Sequence, residues 1–171
     1  EYGPNQARSP GLSIADAPFL EACLDDRSQG VRSRAAALLR KLPESRRSLR
    51  MIERTKGLLS WKRGKLGLGR GTLVVELPAE CDAAMVRDGI PPKPPKPQKV
   101  GERGAWLFEV VSATPTAAIT AMLGVSPEEI VRAARGQEWE EVLRNAWTAS
   151  AATHRDADWA EALLDAVISE W

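Results

Sequence analysis

Apolar residues recur at helical spacing in the first part of the chain, on either side of a polar corner at residues 25–28. The first stripe consists of Phe19, Leu20, Cys23 and Leu24. The second consists of Val31, Ala35, Leu38, Leu39 and Leu42. An apolar residue every three or four positions is typical of a helix that buries one face. The pattern therefore predicts two paired helices that start at Asp16 and end at Pro43, with a third from about Arg46 to Trp61.

Helical spacing returns after Gly101 and predicts five more helices. Their start signals include Thr114-Pro115 and Ser126-Pro127-Glu128-Glu129, where Ser126 is the expected N-cap and Glu129 closes a capping box. A corner at residues 154–158 separates the last two helices. The apolar stripes of the first, fourth and fifth helices are Trp106, Leu107, Val110 and Val111; Trp139, Val142, Leu143, Ala146 and Trp147; and Trp159, Leu163, Ala166 and Val167.

The stretch between these helical parts has a different pattern. The β-branched run 72–77, TLVVEL, lies between Gly71 and Pro78 and predicts a strand, with Leu66 and Leu68 in a possible partner strand. A short helix from Cys81 to Arg87 is expected next. The sequence IPPKPPKPQK, which begins at Ile90, favours an extended connector.

These elements divide the chain into four regions: a flexible lead-in at 1–15, helices at 16–61, a β-containing insertion with a Pro/Lys connector at 62–100, and helices at 101–171. We predict a mostly α fold, an α-solenoid of helical hairpins with a small β-hairpin-containing insertion. The chain lacks an initiator Met and ends at Trp171 inside a helical pattern, so we expect a fragment of a longer protein.

The corner between the first two helices resembles that of a HEAT-like repeat. The resemblance lies in Asp25-Asp26, then Val31-Arg32, then the Ala-Ala-x-Leu-Leu run at 35–39. It implies that Val31 plugs the corner and that Arg32 pairs with an acidic corner residue of an adjacent repeat, the position that Asp26 holds here. The alternative is an ordinary helical hairpin in an unrelated bundle.

Four longer segments are similar, in this order, to an uncharacterised bacterial family whose members carry HEAT-like helices. The segments are LDDRSQGVRSRAAALLRKLP, CDAAMVRDGI, GERGAWLFEVVSATP and RNAWTASAATHRDADWAEALL. The resemblance implies gene neighbourhoods that also encode MoxR-type AAA+ ATPases, von Willebrand A-domain proteins and SWIM zinc-finger proteins. It implies no catalytic residue.

Charge is distributed unevenly, although the whole chain carries a net charge of only +1. Between Arg27 and Arg70, fourteen Lys and Arg residues face only two acids; from Glu128 to Trp171, ten acids face four arginines. A basic surface attracts either nucleic acid or an acidic protein face, which includes the chain's own acidic half. The candidate interaction surface consists of Arg32, Arg34, Arg40, Arg46, Arg47, Arg50 and Arg54.

Candidate catalytic residues are sparse. The one histidine, His154, lies near Asp156 and Asp158 in a corner, where a surface cap is the more common role. The GLGRG run at 67–71 precedes a strand instead of a helix, so it predicts a hairpin turn and no phosphate or cofactor site. Asp82, Arg87 and Asp88 form a possible polar cluster; alternatively, Arg87 and Asp88 cap their helix and tie the insertion to the other helices.

The cysteines and the lengths of the apolar runs exclude several classes of protein. Two separate cysteines form neither a disulfide framework nor a metal-ligand set, and no apolar run approaches the roughly 20 residues that span a bilayer. We therefore predict a cytoplasmic scaffold that binds a protein, and the family resemblance implies an AAA+ ATPase or a von Willebrand A-domain protein as its partner. Nucleic-acid binding, with possible base excision, is the alternative. A hydrolase requires a pocket where His154 or Asp88 meets a nucleophile.

Overall fold

Helices make up most of the chain in the computed structural model, which describes residues 11–64, 71–93 and 100–168. After a single 3-10 turn at Ile14–Asp16, the helices are Ala17–Cys23 (α1), Gln29–Arg40 (α2), Arg46–Leu58 (α3), Ala83–Arg87 (α4), Gly101–Ser112 (α5), Thr116–Leu123 (α6), Pro127–Ala134 (α7), Glu140–His154 (α8) and Ala157–Ile168 (α9). The predicted mostly α fold with a small β insertion is confirmed.

Some of the helices begin at a residue whose side chain caps them. The Ser126 side chain accepts a hydrogen bond from the backbone N–H of Glu129, which confirms the predicted start of α7. Ser45 caps α3 in the same way, by accepting from the N–H of Ser48. Each bond satisfies one of the N–H groups that a helix N-terminus leaves unpaired.

A two-stranded antiparallel sheet joins Leu59–Lys62 (β1) to Thr72–Val75 (β2), with Leu59 opposite Val75 and Trp61 opposite Leu73. The strand predicted at Thr72 is confirmed. The prediction that α3 continues to Trp61 is wrong, because the chain becomes extended at Leu59 and pairs with β2. Leu59 and Leu73 are both buried, so burial on the sheet overrides the helical spacing. The strand predicted at Leu66 and Leu68 lies outside the described residues.

The main core lies among α5–α9, under the sheet. Leu107, Leu143 and Trp147 are fully buried there, and the rings of Trp147 and Trp159 lie 5.3 Å apart. Within this core the most extensive helix packing joins α5 to α8 and α7 to α9, which are not consecutive along the chain. The five predicted helices of this half are therefore present, while their arrangement as stacked repeats stays a prediction.

A smaller core holds α1 and α2 together through Leu20, Leu24 and Leu39. Two residues of the predicted α2 stripe, Val31 and Leu38, remain 38% and 37% exposed. Phe19, which was expected on the buried face of α1, is 71% exposed. The expectation that every member of these stripes is buried is wrong. The apolar residues cover a wider part of each helix surface than the neighbouring helix covers.

Helix α3 connects the two cores. Met51 of α3 is fully buried with Met85, Trp106 and Val110. The hydroxyls of Thr55 and Thr114 lie 2.8 Å apart, and the hydroxyl of Ser150 donates to the carbonyl of Thr114 at 2.6 Å. These buried bonds join α3 to the α5–α6 corner and to α8.

Among the described residues, no single helix is long and apolar enough to cross a membrane. The pair α5 and α6 passes that test only when taken together across a bend of 98°.

Candidate functional site

Three arginines of α3 project towards one residue, Asp88. Arg47, Arg50 and Arg54 follow one another at three- and four-residue spacing, so they share a face of the helix. Arg50 donates to the Asp88 carboxylate from Nε at 3.0 Å and from Nη2 at 2.6 Å, and Arg54 donates to it from Nη1 at 2.6 Å. The Nε of Arg47 donates to the backbone carbonyl of Asp88 at 2.8 Å. We call these four residues the Asp88 cluster.

Asp88 and Arg47 are buried, Arg50 and Arg54 are partly exposed, and both burial and the contacts among these groups shift their pKa values. The Asp88 side chain is 1% exposed, and burial by itself raises its pKa. The hydrogen bonds and positive charges of Arg50 and Arg54 outweigh this effect, so the pKa of Asp88 is lowered. Burial lowers the pKa of Arg47 to about 10, whereas the hydrogen bond to Asp88 raises the pKa of Arg50. The carboxylate is thus a fixed negative charge enclosed by guanidinium groups.

Further charged contacts attach α1 and α4 to the Asp88 cluster. Glu21 of α1 accepts from Arg50 Nη2 at 2.9 Å and from the backbone N–H of Arg47. Arg87 of α4 donates to the carboxylate of Asp25 from Nε at 2.6 Å and from Nη2 at 2.7 Å. This pair is exposed, and the hydrogen bond from Arg87 lowers the pKa of Asp25.

The three polar residues of the insertion do not form a single cluster. Arg87 Nη1 lies 3.8 Å from the Asp88 carboxylate, but the shorter bonds of Arg87 go to Asp25 in the corner after α1, whereas Asp88 binds α3. Asp82 lies at the opposite end of α4 and caps it, because its carboxylate accepts from the N–H of Met85 at 2.7 Å. The Asp88 carboxylate is occupied by arginines, so it does not serve as a base beside a nucleophile.

The arginines of the predicted basic surface do not form one exposed surface. Arg47 is only 2% exposed and is not a surface residue. Arg50 and Arg54 point at Asp88, and Arg40 Nη2 lies 3.4 Å from Glu109 of α5. Arg34 and Arg46 are exposed. The sequence pattern alone does not reveal that three of these arginines bind Asp88, which lies 34 to 41 positions further along the chain.

The corner residues stabilise their own turn. Arg32 Nη1 donates to the backbone carbonyls of Asp26 at 2.7 Å and Arg27 at 3.0 Å, and the Asp26 carboxylate accepts from the N–H of Ser28. Val31 remains partly exposed. In the described residues Arg32 thus bonds to its own corner, and not to an acidic residue of a neighbouring helix pair as the repeat resemblance implied.

The corner between α8 and α9 holds the histidine. Burial lowers the pKa of His154, against the opposing effect of Asp156 and with a smaller lowering effect of Arg40. Asp156 accepts from the hydroxyl of Thr116 at 2.6 Å and from the N–H of Trp159. Asp156 is therefore a capping residue of α9.

Residues 65–70, which include most of the GLGRG run, lie outside the described part of the chain. Within the described part, no group of three or more His, Cys, Asp or Glu residues is placed to hold a metal ion.

An apolar groove of about 750 Å³ runs along α8 and α9. It is lined by small and apolar residues of both helices and by the polar residues Arg144, Asn145, Thr148, Arg155 and Asp156. The apolar lining is Ala151, Ala152, Ala157, Ala160, Leu163, Leu164 and Val167. We call this feature the α8–α9 groove.

Helix α9 has two apolar faces. Trp159, Ala162, Leu163 and Ala166 pack into the core, whereas Ala157, Ala160, Leu164 and Val167 line the α8–α9 groove. Leu164 is 63% exposed. The stripe predicted from the sequence combined Trp159, Leu163 and Ala166 of the first face with Val167, which is 42% exposed and belongs to the second. The spacing of Ala157, Ala160, Leu164 and Val167 indicates this second face. A helix that is apolar over most of its circumference is normally covered on more than one side.

The comparison with known families places the whole described chain in one family. The model of a family of unknown function, DUF5691, matches residues 6–170. No curated protein and no solved structure matches this chain. The family match does not bear on the HEAT-like resemblance or on neighbouring genes. Because it covers nearly the full length, the chain belongs to the family of unknown function DUF5691.

Proposed function

We propose that this protein is a binding scaffold that takes a helix of a protein partner in the α8–α9 groove. The single observation that supports this function is the second apolar face of α9, which lies open beside α8. Contiguous exposed apolar surface with a polar edge marks a protein interaction site. A groove between two helices suits an amphipathic helix, which inserts apolar side chains at three- and four-residue spacing.

The same proposal extends to the way in which the helices stack. We infer a HEAT-like solenoid in which paired helices stack side by side, so that the last pair presents an open edge. Two helix pairs, α1–α2 and α8–α9, support it, because each is joined by a short corner with an aspartate that accepts a backbone N–H. In such a stack the α8–α9 groove is the position that a further helix occupies.

The basic surface supports nucleic-acid binding less well. Arg47, Arg50 and Arg54 are directed at Asp88, and Arg40 at Glu109, so these guanidinium groups are already paired or buried. Phosphate binding requires cations that remain free to replace counterions. Binding of a protein partner in the α8–α9 groove is therefore better supported than binding of nucleic acid by the basic surface.

Pull-down with defined prey tests the proposal. The prey are the AAA+ ATPase and the von Willebrand A-domain protein encoded nearest to the gene, which the family resemblance suggests as partners. Wild-type protein is compared with Leu164→Asp, which places a charge in the groove, and with Leu49→Asp, a leucine on α3 that is also more than half exposed. We expect Leu164→Asp alone to lose the prey, by at least about tenfold in affinity, since a buried leucine contributes about 1.5–3 kcal/mol. Equal binding by all three proteins contradicts the proposal.

A further inference from the structure

The outer edge of β1 carries backbone groups that do not bind β2. The N–H of Glu76 donates to the carbonyl of Leu58 at 2.8 Å, so these two residues form a hydrogen-bonded pair. In an antiparallel ladder such pairs alternate with pairs that exchange no hydrogen bonds. The register then makes Ser60 the next bonded residue of β1, with Leu59 and Trp61 on either side of it. The carbonyls of Leu59 and Trp61 and the N–H of Trp61 therefore point away from β2.

A cleft of about 480 Å³ adjoins this edge. Within the described residues the sheet has two strands, so no third strand covers β1 there. Leu59 and Trp61 line the cleft from one face of β1, and Ser60 lines it from the other. A cavity in contact with both faces of a strand lies along the edge of that strand. The remaining apolar lining comes from Met122 and Leu123 at the end of α6. We call this cavity the β1 cleft.

The charged residues that line the β1 cleft are both basic, Lys56 and Arg63. Nζ of Lys56 lies 2.6 Å from the carboxylate of Glu53, which does not line the cleft. Arg63 is exposed, and no carboxylate in the described part of the chain pairs with it. The β1 cleft thus combines open backbone groups and apolar side chains with a positive charge.

We propose that the β1 cleft binds an extended acidic segment of a protein partner, which pairs with the outer edge of β1 as a third strand. In such strand addition, main-chain hydrogen bonds provide affinity and side-chain contacts provide specificity. The carboxylates of the segment pair with Arg63, and its apolar side chains contact Trp61 and Met122. This site goes beyond the proposed function, because it shares no lining residue with the α8–α9 groove and binds a strand instead of a helix.

NMR of the isotope-labelled protein, titrated with the hexapeptide EVEVEV capped at both ends, tests the inference. In the free protein we expect the amide of Trp61 to exchange rapidly with deuterium, whereas the amide of Ser60 is protected by its bond to β2. The peptide should shift the amide resonances of Trp61 and Arg63 and slow the exchange at Trp61. Slow exchange at Trp61 in the free protein, or shifts that leave Trp61 and Arg63 unchanged, overturns the inference.

Peptides methylated on alternate backbone nitrogens distinguish strand pairing from simple charge attraction. In an added strand only every second residue points its N–H at β1. Methylation of one alternate set should therefore weaken binding by at least about tenfold, because the bonds to the carbonyls of Leu59 and Trp61 are lost. Methylation of the other set should have little effect. Equal losses with both sets, or no loss with either, overturn the inference.

Charge variants of the protein test the contribution of Arg63. Arg63→Glu should weaken binding of the unmethylated peptide by at least about threefold. Arg34→Glu, which changes an exposed arginine of α2, is the matched control and should leave the affinity unchanged. Leu164→Asp should also leave it unchanged, so failure of this inference is distinguishable from failure of the proposed function. Equal losses in Arg63→Glu and Arg34→Glu, or loss of peptide binding in Leu164→Asp, overturn the inference.

Discussion

At the scale of single residues, local motifs could be predicted and long-range partners could not. Ser126 caps α7 as its neighbours indicate, because the bond reaches only three residues. The role of Arg47 could not be predicted, since a charged residue on a helix is expected to be exposed and its partner Asp88 is distant in sequence. The same limit concealed the bond between Thr55 and Thr114.

The pKa of His154 can be measured from a single set of imidazole NMR signals, because the chain contains a single histidine. Burial lowers its pKa below the ordinary value of 6.5, with Asp156 opposing and Arg40 adding to the effect. The unfolded chain then binds the proton more tightly than the folded chain does, so stability is lost as the pH falls from 6.5 through the folded pKa.

We therefore expect the imidazole resonances to titrate below pH 6.5 in an NMR experiment. The melting temperature of the wild type should also fall between pH 7.5 and 5.5 (about one pH unit on either side of the histidine's ordinary pKa), and His154→Gln should reduce that fall. A His154 pKa above 6.5, or an equal fall in both proteins, contradicts the prediction.

At the scale of elements, periodicity located every helix after Gly101 but failed at the end of α3. The same Leu58–Leu59–Trp61 spacing fits a helix and a strand, and only pairing with β2 decides between them. Short apolar runs next to glycines are ambiguous for this reason. Likewise, the second apolar face of α9 was visible in the sequence, but its exposure depends on which helices surround it.

Gly71 is required at the start of β2. A Cβ atom at this position lies 2.3 Å from Nε1 of Trp61, whose indole packs against the main core. We expect Gly71→Ala to lower the free energy of unfolding by about 1–3 kcal/mol, because the ring must shift. Gly57, in α3, has nothing within 4 Å of its Cβ position. Gly57→Ala should raise it by roughly 0.5–1 kcal/mol, since alanine is the better helix former. Urea denaturation checks the pair, and a loss of equal size in both variants contradicts the steric explanation.

At the scale of the whole molecule, the Asp88 cluster joins parts that are distant in sequence. It connects α3 to the end of α4, and Glu21 extends it to α1. Helix α3 in turn contacts α5 and α6 of the main core. The sequence predicted the mostly α composition, yet the connection between the two helical parts depends on a buried charge that periodicity does not detect.

This connection predicts a large and pH-dependent effect of Asp88→Asn. The variant leaves Arg50 and Arg54 without their counter-charge, so we expect the free energy of unfolding at pH 7 to fall by about 3 kcal/mol. The pKa of Asp88 in the folded protein lies below its ordinary value of 3.8, so its contribution is present above that pH and is lost as the pH falls through the folded pKa.

Urea denaturation at pH 7 and below pH 3.8 measures both effects, with Glu53→Gln as the matched control because Glu53 pairs with Lys56 on the exposed side of the same helix. The control should change stability by less than about 1 kcal/mol. The difference between wild type and Asp88→Asn should shrink as the pH falls from 3.8 through the lower folded pKa of Asp88, because the carboxyl then becomes protonated and is as neutral as the amide. A difference that stays constant with pH would show that the hydrogen-bond geometry of the Asp88 side chain, and not its negative charge, holds the two helical parts together.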